Sequence, residues 1–140
     1  MLPKNLQVEV VSPDKLLFSG TADFVSVPGK GGCLGILPGH APLLSELQTG
    51  EIIIRQGSES KRYFCRDGFV EVLPQQVSVL VQVAEKPEEI DVNRAQKAKD
   101  RAWQRLLSKS PDLDYARACG ALQRALARIH IASSTQQGFI

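Results

Sequence analysis

The sequence predicts an α+β protein in which a β-rich N-terminal part is followed by two helices. Up to about residue 84, apolar residues alternate with polar ones, which is the period of a half-buried strand. From about residue 91, apolar residues recur every three or four positions, which is the period of an amphipathic helix. Pro87 stands between the two patterns, and the residue before a proline is disfavoured in a helix. We therefore predict two domains, residues 1–86 and 87–140.

The strand alternation is clearest at residues 6–10, 52–55 and 77–83. A series of short strands with regular turns is typical of a sandwich or a barrel. Asp67 and Gly68, which lie between two apolar runs, predict a hairpin. Residues 31–44 are rich in Gly and Pro and predict a constrained loop rather than a regular element. The other turn signals lie at residues 12–14, 28–31, 57–58 and 74–75.

Two helices are predicted after Pro87, the first at about residues 91–108 and the second at about 112–132. Ser110 and Pro111 suit an N-cap and a first helical residue for the second helix. Residues 133–140 are predicted to be a frayed tail. Both helices are rich in alanine, which permits close approach but buries little area, so we expect a weakly held helical hairpin. The predicted apolar faces are Val92, Ala95, Ala98, Ala102 and Leu106 on the first helix, and Tyr115, Cys119, Leu122, Leu126 and Ile129 on the second.

Composition and charge argue against several functional classes. The 140 residues carry 17 Lys and Arg against 15 Asp and Glu, a net charge of +2 that gives no support to nucleic-acid binding. No apolar run approaches the roughly 18 residues of a membrane span, and the first residues lack the apolar segment of a signal peptide. We therefore expect an intracellular protein without direct membrane insertion. Three scattered cysteines favour neither a disulfide framework nor a zinc site.

No catalytic constellation is recognisable in the sequence. His40 and His130 have no Ser, Cys or Asp in a catalytic context, and residues 28–32 lack the spacing of a P-loop. No group of His, Cys and carboxylate residues has metal-ligand spacing. We therefore expect a protein that is not an enzyme and that holds no metal.

The C-terminal part is more basic than the rest, with nine Lys and Arg against six Asp and Glu from residue 88 onward. Its arginines form two sets with the same spacing of seven and four residues, which places each set on one side of a helix. Because the guanidinium fork suits phosphate, two facing sets could hold a nucleotide, with Asp91 accepting from the ribose or base. Alternatively, both sets are solvated or meet an acidic partner. The sets are Arg94, Arg101 and Arg105, and Arg117, Arg124 and Arg128.

Four segments together are similar to one family. They are residues 18–20 (Phe-Ser-Gly), 35–44 (Gly-Ile-Leu-Pro-Gly-His-Ala-Pro-Leu-Leu), 68–72 (Gly-Phe-Val-Glu-Val) and 90–95 (Ile-Asp-Val-Asn-Arg-Ala). With them the chain resembles, over nearly its whole length, the epsilon subunit of bacterial F-type ATP synthases, the counterpart of the mitochondrial delta subunit. Cys33 departs from this resemblance, because many members carry an acidic residue there.

The resemblance implies a ten-stranded β-sandwich followed by a C-terminal two-helix antiparallel hairpin. It implies a non-catalytic subunit in the central stalk of a proton-translocating ATP synthase, peripheral on the cytoplasmic face of the bacterial cell membrane. The sandwich would bind the gamma subunit and the c-subunit ring. The hairpin would regulate ATP hydrolysis: it permits hydrolysis when folded against the sandwich and inhibits it when extended towards the alpha and beta subunits.

The resemblance also implies that ATP is a regulatory ligand, although no cofactor is required. Some members bind ATP on the folded hairpin through an Ile/Leu-Asp-x-x-Arg-Ala motif and further residues. Carried over position by position, the site residues are Glu85, Ile90, Asp91, Arg94, Ala95, Arg101, Arg124 and Arg128.

The alternative is a free-standing intracellular binding module with a basic helical tail. It predicts salt-dependent binding to a polyanion. Almost no aromatic residue interrupts the basic ones in this tail, so we expect no nucleic-acid partner.

Overall fold

The computed structural model describes residues 3–137. Eight strands come first and are followed by a 3₁₀ turn and two α-helices, which is the predicted order of an α+β protein. The chain divides into two compact units between Lys86 and Pro87, and each is described by itself. The elements are β1 Leu6–Val11, β2 Leu16–Ala22, β3 Phe24–Gly29, β4 Gly32–Ile36, β5 Leu43–Leu47, β6 Gly50–Gln56, β7 Glu59–Leu73, β8 Gln76–Glu85, the 3₁₀ turn Pro87–Glu89, α1 Val92–Ser108 and α2 Tyr115–Gln137.

The strands of the first unit form one curled sheet in the order β2-β1-β8-β7-β5-β3-β4, with β6 paired to β3 and β7. β1 and β8 run parallel, with Val8 opposite Val77, and the other pairs are antiparallel. β5 and β6 lie end to end along β7. The curl brings β2 beside β6, where the Gln56 side-chain amide donates to the Thr21 carbonyl at 2.8 Å. The sheet thus closes over itself as a β-sandwich, which confirms the predicted architecture.

Within residues 3–137 the strands number eight, which corrects the predicted count of ten. β7 and β8 are each a single strand, of 15 and 10 residues. Asp67 bends β7 with a φ of 56°, yet pairing with β8 continues on both sides of it. The hairpin predicted at Asp67 and Gly68 is therefore wrong, because both residues lie inside β7. A Cβ at Gly68 would collide with the Leu80 carbonyl oxygen, so a glycine is required by the close approach of β8.

The predicted alternation fills the sandwich core. Inward positions on β1, β6 and β8 are fully buried, and each buried Val, Leu or Ile contributes roughly 1.5–3 kcal/mol. Two-residue turns at residues 57–58 and 74–75 join β6 to β7 and β7 to β8, as the sequence predicts. The fully buried side chains of the core include Leu6, Val8, Val10, Val25, Val27, Ile36, Ile52, Ile54, Val70, Val72, Val77 and Val79.

The glycine-rich segment at residues 31–44 is more regular than predicted. β4 occupies residues 32–36 and β5 begins at Leu43, so only residues 37–42 lie between strands. Backbone hydrogen bonds hold this connection, because the Gly39 N–H donates to the Pro74 carbonyl at 2.8 Å. The His40 ring Nδ1 lies 2.6 Å from the Ala41 carbonyl oxygen, which is a local structural contact.

The second unit is a hairpin of two packed helices, as predicted, but the buried face of α2 differs from the prediction. α1 buries Ala95 and Ala102 on its predicted face. α2 buries Ala118 and Ala125, whereas Tyr115 and Leu126 of its predicted face are exposed. Ile131 and Ala132 of α2 are buried as well, and small alanine side chains on both helices permit their close approach.

Helix α2 begins and ends later than predicted. Ser110 and Pro111 form a turn before the helix, in which the Ser110 Oγ accepts the Asp112 N–H at 3.3 Å. Asp114 is the cap of α2, because its Oδ1 accepts a backbone N–H of the first turn at 3.0 Å. The helix then continues through Gln137, and the last part of the predicted tail, residues 138–140, lies outside the described residues. Within residues 3–137, neither helix has the length and apolarity needed to cross a membrane.

Candidate functional site

The Ile-Asp-x-x-Arg-Ala segment forms the start of α1. Asp91 is the N-cap, with extended backbone at φ −82° and ψ 97°, and its Oδ1 accepts the Arg94 backbone N–H at 3.0 Å. The Asp91 carbonyl accepts the Ala95 N–H, also at 3.0 Å. Ile90 and Ala95 are buried, whereas Arg94 is exposed. The four motif residues therefore occupy the residue before the cap, the cap and the first turn of α1.

Arg124 and Arg128 lie one turn apart on α2, and both are half-buried. α2 returns alongside α1 and also contacts the 3₁₀ turn that precedes α1. The Arg124 guanidinium lies over Gly120, where an added Cβ would stand 3.3 Å from its Nη1. The absent side chain at Gly120 therefore leaves room for the Arg124 head group.

Arg101 and Glu85 complete the set of predicted site residues. Arg101 is exposed on α1, seven residues beyond Arg94 and so about 10 Å further along the helix axis. Glu85 is the last residue of β8, is half-buried, and belongs to the other unit. The other six predicted residues belong to the hairpin unit, four at the start of α1 and two on α2.

The remaining arginines of the two sets, Arg105 and Arg117, line a cavity of about 440 Å³ at the turn of the hairpin. Asp112 and Asp114 line it as well, so its formal charges balance. The residues at 113–118 read Leu-Asp-Tyr-Ala-Arg-Ala, which is a second copy of the Ile/Leu-Asp-x-x-Arg-Ala motif. This second copy was not noticed in the sequence, although a search for the motif would have found it.

A row of exposed apolar side chains crosses four strands of the sandwich. Leu16 on β2 lies opposite Val11 on β1, which lies opposite Leu80 on β8, which lies opposite Phe69 on β7. Leu16, Leu80 and Phe69 are 57%, 56% and 49% exposed, which is high for side chains of their size. A cavity of about 390 Å³ opens beside the row. We call these four residues the apolar row.

Sequence reasoning missed the apolar row as well. Leu80 gave a signal, because it stands at a polar position of the alternation in residues 77–83. The row itself is a product of strand register, since its members come from four strands that are distant in sequence.

The β3–β4 end of the sandwich carries polar and charged groups. The Lys30 ammonium lies 2.8 Å from a Glu46 carboxylate oxygen, and this ion pair raises the pKa of Lys30. Cys33 is exposed on β4, with its Sγ 3.1 Å from the Ser26 Oγ. β4 is an edge strand, so this thiol stands at a margin of the sheet.

Two family models match the chain in succession. Residues 5–87 match the model described as "ATP synthase, Delta/Epsilon chain, beta-sandwich domain", and residues 88–133 match "ATP synthase, Delta/Epsilon chain, long alpha-helix domain". The class defined by this fold is therefore a β-sandwich with an appended helical hairpin, as found in ATP synthase stalk chains of the delta/epsilon type. The chain belongs to the ATP synthase delta/epsilon chain family.

Individual relatives agree with this family. The ATP synthase epsilon chain of Nitratidesulfovibrio vulgaris is 45% identical over 130 residues, covering 93% of this chain and 97% of that one. The ATP synthase epsilon chain of Koribacter versatilis is 52% identical over 106 residues, covering 76% and 75%. A chain of the Euglena gracilis mitochondrial ATP synthase shares the fold, with a TM-score of 0.77 at 22% identity, covering 95% of this chain and 83% of that chain. The family predicted from the sequence motifs is confirmed, and the chain is a non-catalytic subunit of the ATP synthase complex.

Proposed function

We propose that this chain is a central-stalk (rotor) subunit of a proton-translocating F-type ATP synthase, peripheral on the cytoplasmic face of the bacterial cell membrane. In this proposal, residues 1–86 join the gamma subunit to the c-subunit ring, and residues 87–140 regulate ATP hydrolysis. The apolar row is the observation that carries the coupling role, because side chains so exposed favour burial against a partner. Membership in the family argues against the alternative of a free-standing module with a basic tail.

Gamma is the partner that we assign to the apolar row. Each large side chain of the row gains roughly 1.5–3 kcal/mol when fully buried at an interface. Leu80→Glu would place a charge in that interface, and we expect gamma to bind at least tenfold more weakly. Gln76→Glu is the matched control, since Gln76 is exposed on the same strand outside the row. Reconstitution with purified gamma tests the assignment, and equal affinity for both variants would refute it.

The c-subunit ring is the partner that we assign to the β3–β4 end. Exposed Cys33 provides a native probe, because a thiol-reactive cross-linker attached there reaches whatever covers the edge of β4. In the assembled complex, we expect cross-linking from Cys33 to subunit c, and we expect Cys33→Ser to abolish that product. Cross-linking to another subunit alone would place the ring contact elsewhere on the sandwich.

ATP binding to the folded hairpin is the regulatory part of the proposal. Arg94 on α1 and Arg124 and Arg128 on the packed helix α2 supply the guanidinium groups of the proposed site, and such groups bind phosphate through two parallel hydrogen bonds. The Ile90 side chain, just before the cap, and the Ala95 side chain, in the first turn, are both buried.

Titration calorimetry with ATP on the full chain tests this binding. We expect Arg124→Ala and Arg128→Ala each to weaken ATP binding at least tenfold, because each removes a charged hydrogen-bond donor pair. Arg117→Ala is the matched control, since it removes the same charge from the same helix at the far end of the hairpin. No heat at millimolar ATP, or equal losses in all three variants, would refute the site.

The hairpin is proposed to inhibit ATP hydrolysis when extended, and ATP to oppose that extension. A ligand that binds only the folded hairpin stabilises it by about 2.7 kcal/mol at a hundredfold excess over its Kd. That amount reverses a nearly balanced equilibrium between two hairpin positions. Removing residues from 88 onward should therefore raise ATP hydrolysis by the assembled enzyme and abolish its regulation by ATP. Unchanged hydrolysis would refute an inhibitory hairpin.

A further inference from the structure

We infer that Asp91 serves the proposed ATP site as a positioning residue: its carboxylate fixes the first turn of α1, and ATP does not require its charge. This inference rests on the ATP binding proposed above. In this view the Arg94 side chain contacts the ligand, and Asp91 holds the helix start from which Arg94 extends.

The hydrogen bonds at the start of α1 account for Asp91. Its Oδ1 accepts the backbone N–H of Arg94, the third residue of the helix, at 3.0 Å. This bond satisfies a backbone donor that the helix itself leaves unpaired. Because the bond goes to the main chain of Arg94, it fixes the position from which the Arg94 guanidinium extends into solvent.

The two apolar residues of the motif, Ile90 and Ala95, also stabilise the start of α1. Ile90 precedes the cap, and Ala95 is the fourth helical residue, and both are buried, at 7% and 3% exposed. An apolar residue before the cap that packs against the fourth helical residue fixes the angle at which the chain enters a helix. Ile90 is also held by its own N–H, which donates to the Pro87 carbonyl at 3.2 Å. Three of the four motif residues are thus explained by the start of the helix alone.

The second copy of the motif supports this interpretation independently. Asp114 caps α2 with the same two bonds, from the Arg117 N–H to its Oδ1 and from the Ala118 N–H to its carbonyl, each at 3.0 Å. Ala118 is buried to the same degree as Ala95. One sequence pattern therefore builds one helix-start geometry at both ends of the hairpin.

Electrostatic repulsion also favours a positioning role for the Asp91 carboxylate. A phosphate chain carries several negative charges, and a carboxylate close to it repels rather than attracts. A cap needs only a hydrogen-bond acceptor, which Asn supplies without charge, and even Gly is tolerated at a cap far better than Ala. Asn keeps the acceptor and removes the charge, and Gly removes every side-chain atom that could contact a ligand.

The experiment compares three replacements of Asp91 in the full chain, with ATP affinity measured by calorimetry. If Asp91 is a cap, Asp91→Asn and Asp91→Gly keep the affinity within about threefold of the original. Asp91→Ala then frays the first turn, reduces the fraction of competent chains and weakens binding up to roughly thirtyfold. The second readout is amide hydrogen exchange without ATP, in which the Arg94 amide should exchange faster in Asp91→Ala than in the Asn variant.

Asp114→Ala is the matched control, because it removes an equivalent cap at the far end of the hairpin. It should accelerate exchange at the Arg117 amide and leave ATP affinity unchanged. Affinity lost equally in the Asn, Gly and Ala variants, with the Arg94 amide still protected in the Asn variant, would overturn the inference and make the carboxylate a ligand. Unchanged affinity in Asp91→Ala would also overturn it. If the unaltered chain binds no ATP, the proposed function fails and the positioning role fails with it, while exchange at Arg94 still reports the cap.

Discussion

Replacing Gly68 by alanine should destabilise the sandwich more than its single added methyl suggests. An added Cβ would collide with the Leu80 carbonyl oxygen and come within 2.8 Å of the Val81 Cα, so both obstacles belong to the backbone of β8. Backbone atoms cannot change rotamer as a long side chain does, so the collision can be removed only if β7 and β8 separate locally. Overpacking in a dense interior costs about 1–3 kcal/mol, and the loss of ladder hydrogen bonds adds about 1 kcal/mol for each bond. We therefore expect a loss of about 3 kcal/mol.

Urea unfolding of Gly68→Ala measures this loss. Circular dichroism of the β-sheet follows the transition, and a slope of about 2 kcal/mol per molar urea converts 3 kcal/mol into a midpoint lowered by about 1.5 M. Gly31→Ala is the matched control, because no atom lies within 4 Å of a Cβ built there. Its midpoint should stay unchanged or rise slightly, since alanine restricts the unfolded chain. A Gly68→Ala midpoint within 0.5 M (about 1 kcal/mol) of the control would refute the collision argument.

Three further predictions concern buried or strained positions of the sandwich. Asp67→Val should destabilise the fold by roughly 1–2 kcal/mol relative to Asp67→Asn in urea unfolding, because a φ of 56° disfavours a β-branched residue although the position lies in a strand. Burial raises the pKa of the Cys65 thiol from 9.0 to about 12, so stability should fall by about 1.4 kcal/mol per pH unit as the pH rises from 9 to 12, and Cys65→Ala should flatten that slope. Arg62→Met should lower the free energy of unfolding by about 3 kcal/mol, because it removes the ion-pair partner of Glu51, whose other carboxylate oxygen is already buried without a hydrogen bond. Replacing both Arg62 and Glu51 by apolar residues should restore most of that stability.

The sequence was sufficient to predict elements whose signals are local. Alternation located β1, β6 and β8, because a residue such as Val8 or Ile52 faces the core through its own strand geometry. The motifs were sufficient to predict the family and the helix start at Asp91. Asp67 and Gly68 led to the wrong prediction of a hairpin, because the positive φ that favours this dipeptide in hairpin turns also occurs at a bend inside a long strand.

The remaining differences depend on contacts between distant residues. The buried face of α2 includes Ala118 and Ala125 because α1 has a matching alanine face that allows close approach. Hydropathy ranks leucine above alanine and contains no information about the partner helix, so it predicted another face. The apolar row was missed because strand register alone brings Leu16 and Phe69 into line.

The long ladder between β7 and β8 has a mechanical consequence. β7 contains 15 residues, and it pairs with β8 from Phe64 to Leu73 on both sides of the bend at Asp67. Force along these strands loads many hydrogen bonds at the same time. Force that lifts an edge strand, β2 or β4, breaks its bonds one after another. The sandwich is therefore stiff in shear along β7 and compliant to peeling at its edges, which gives the unit a preferred direction for bearing load.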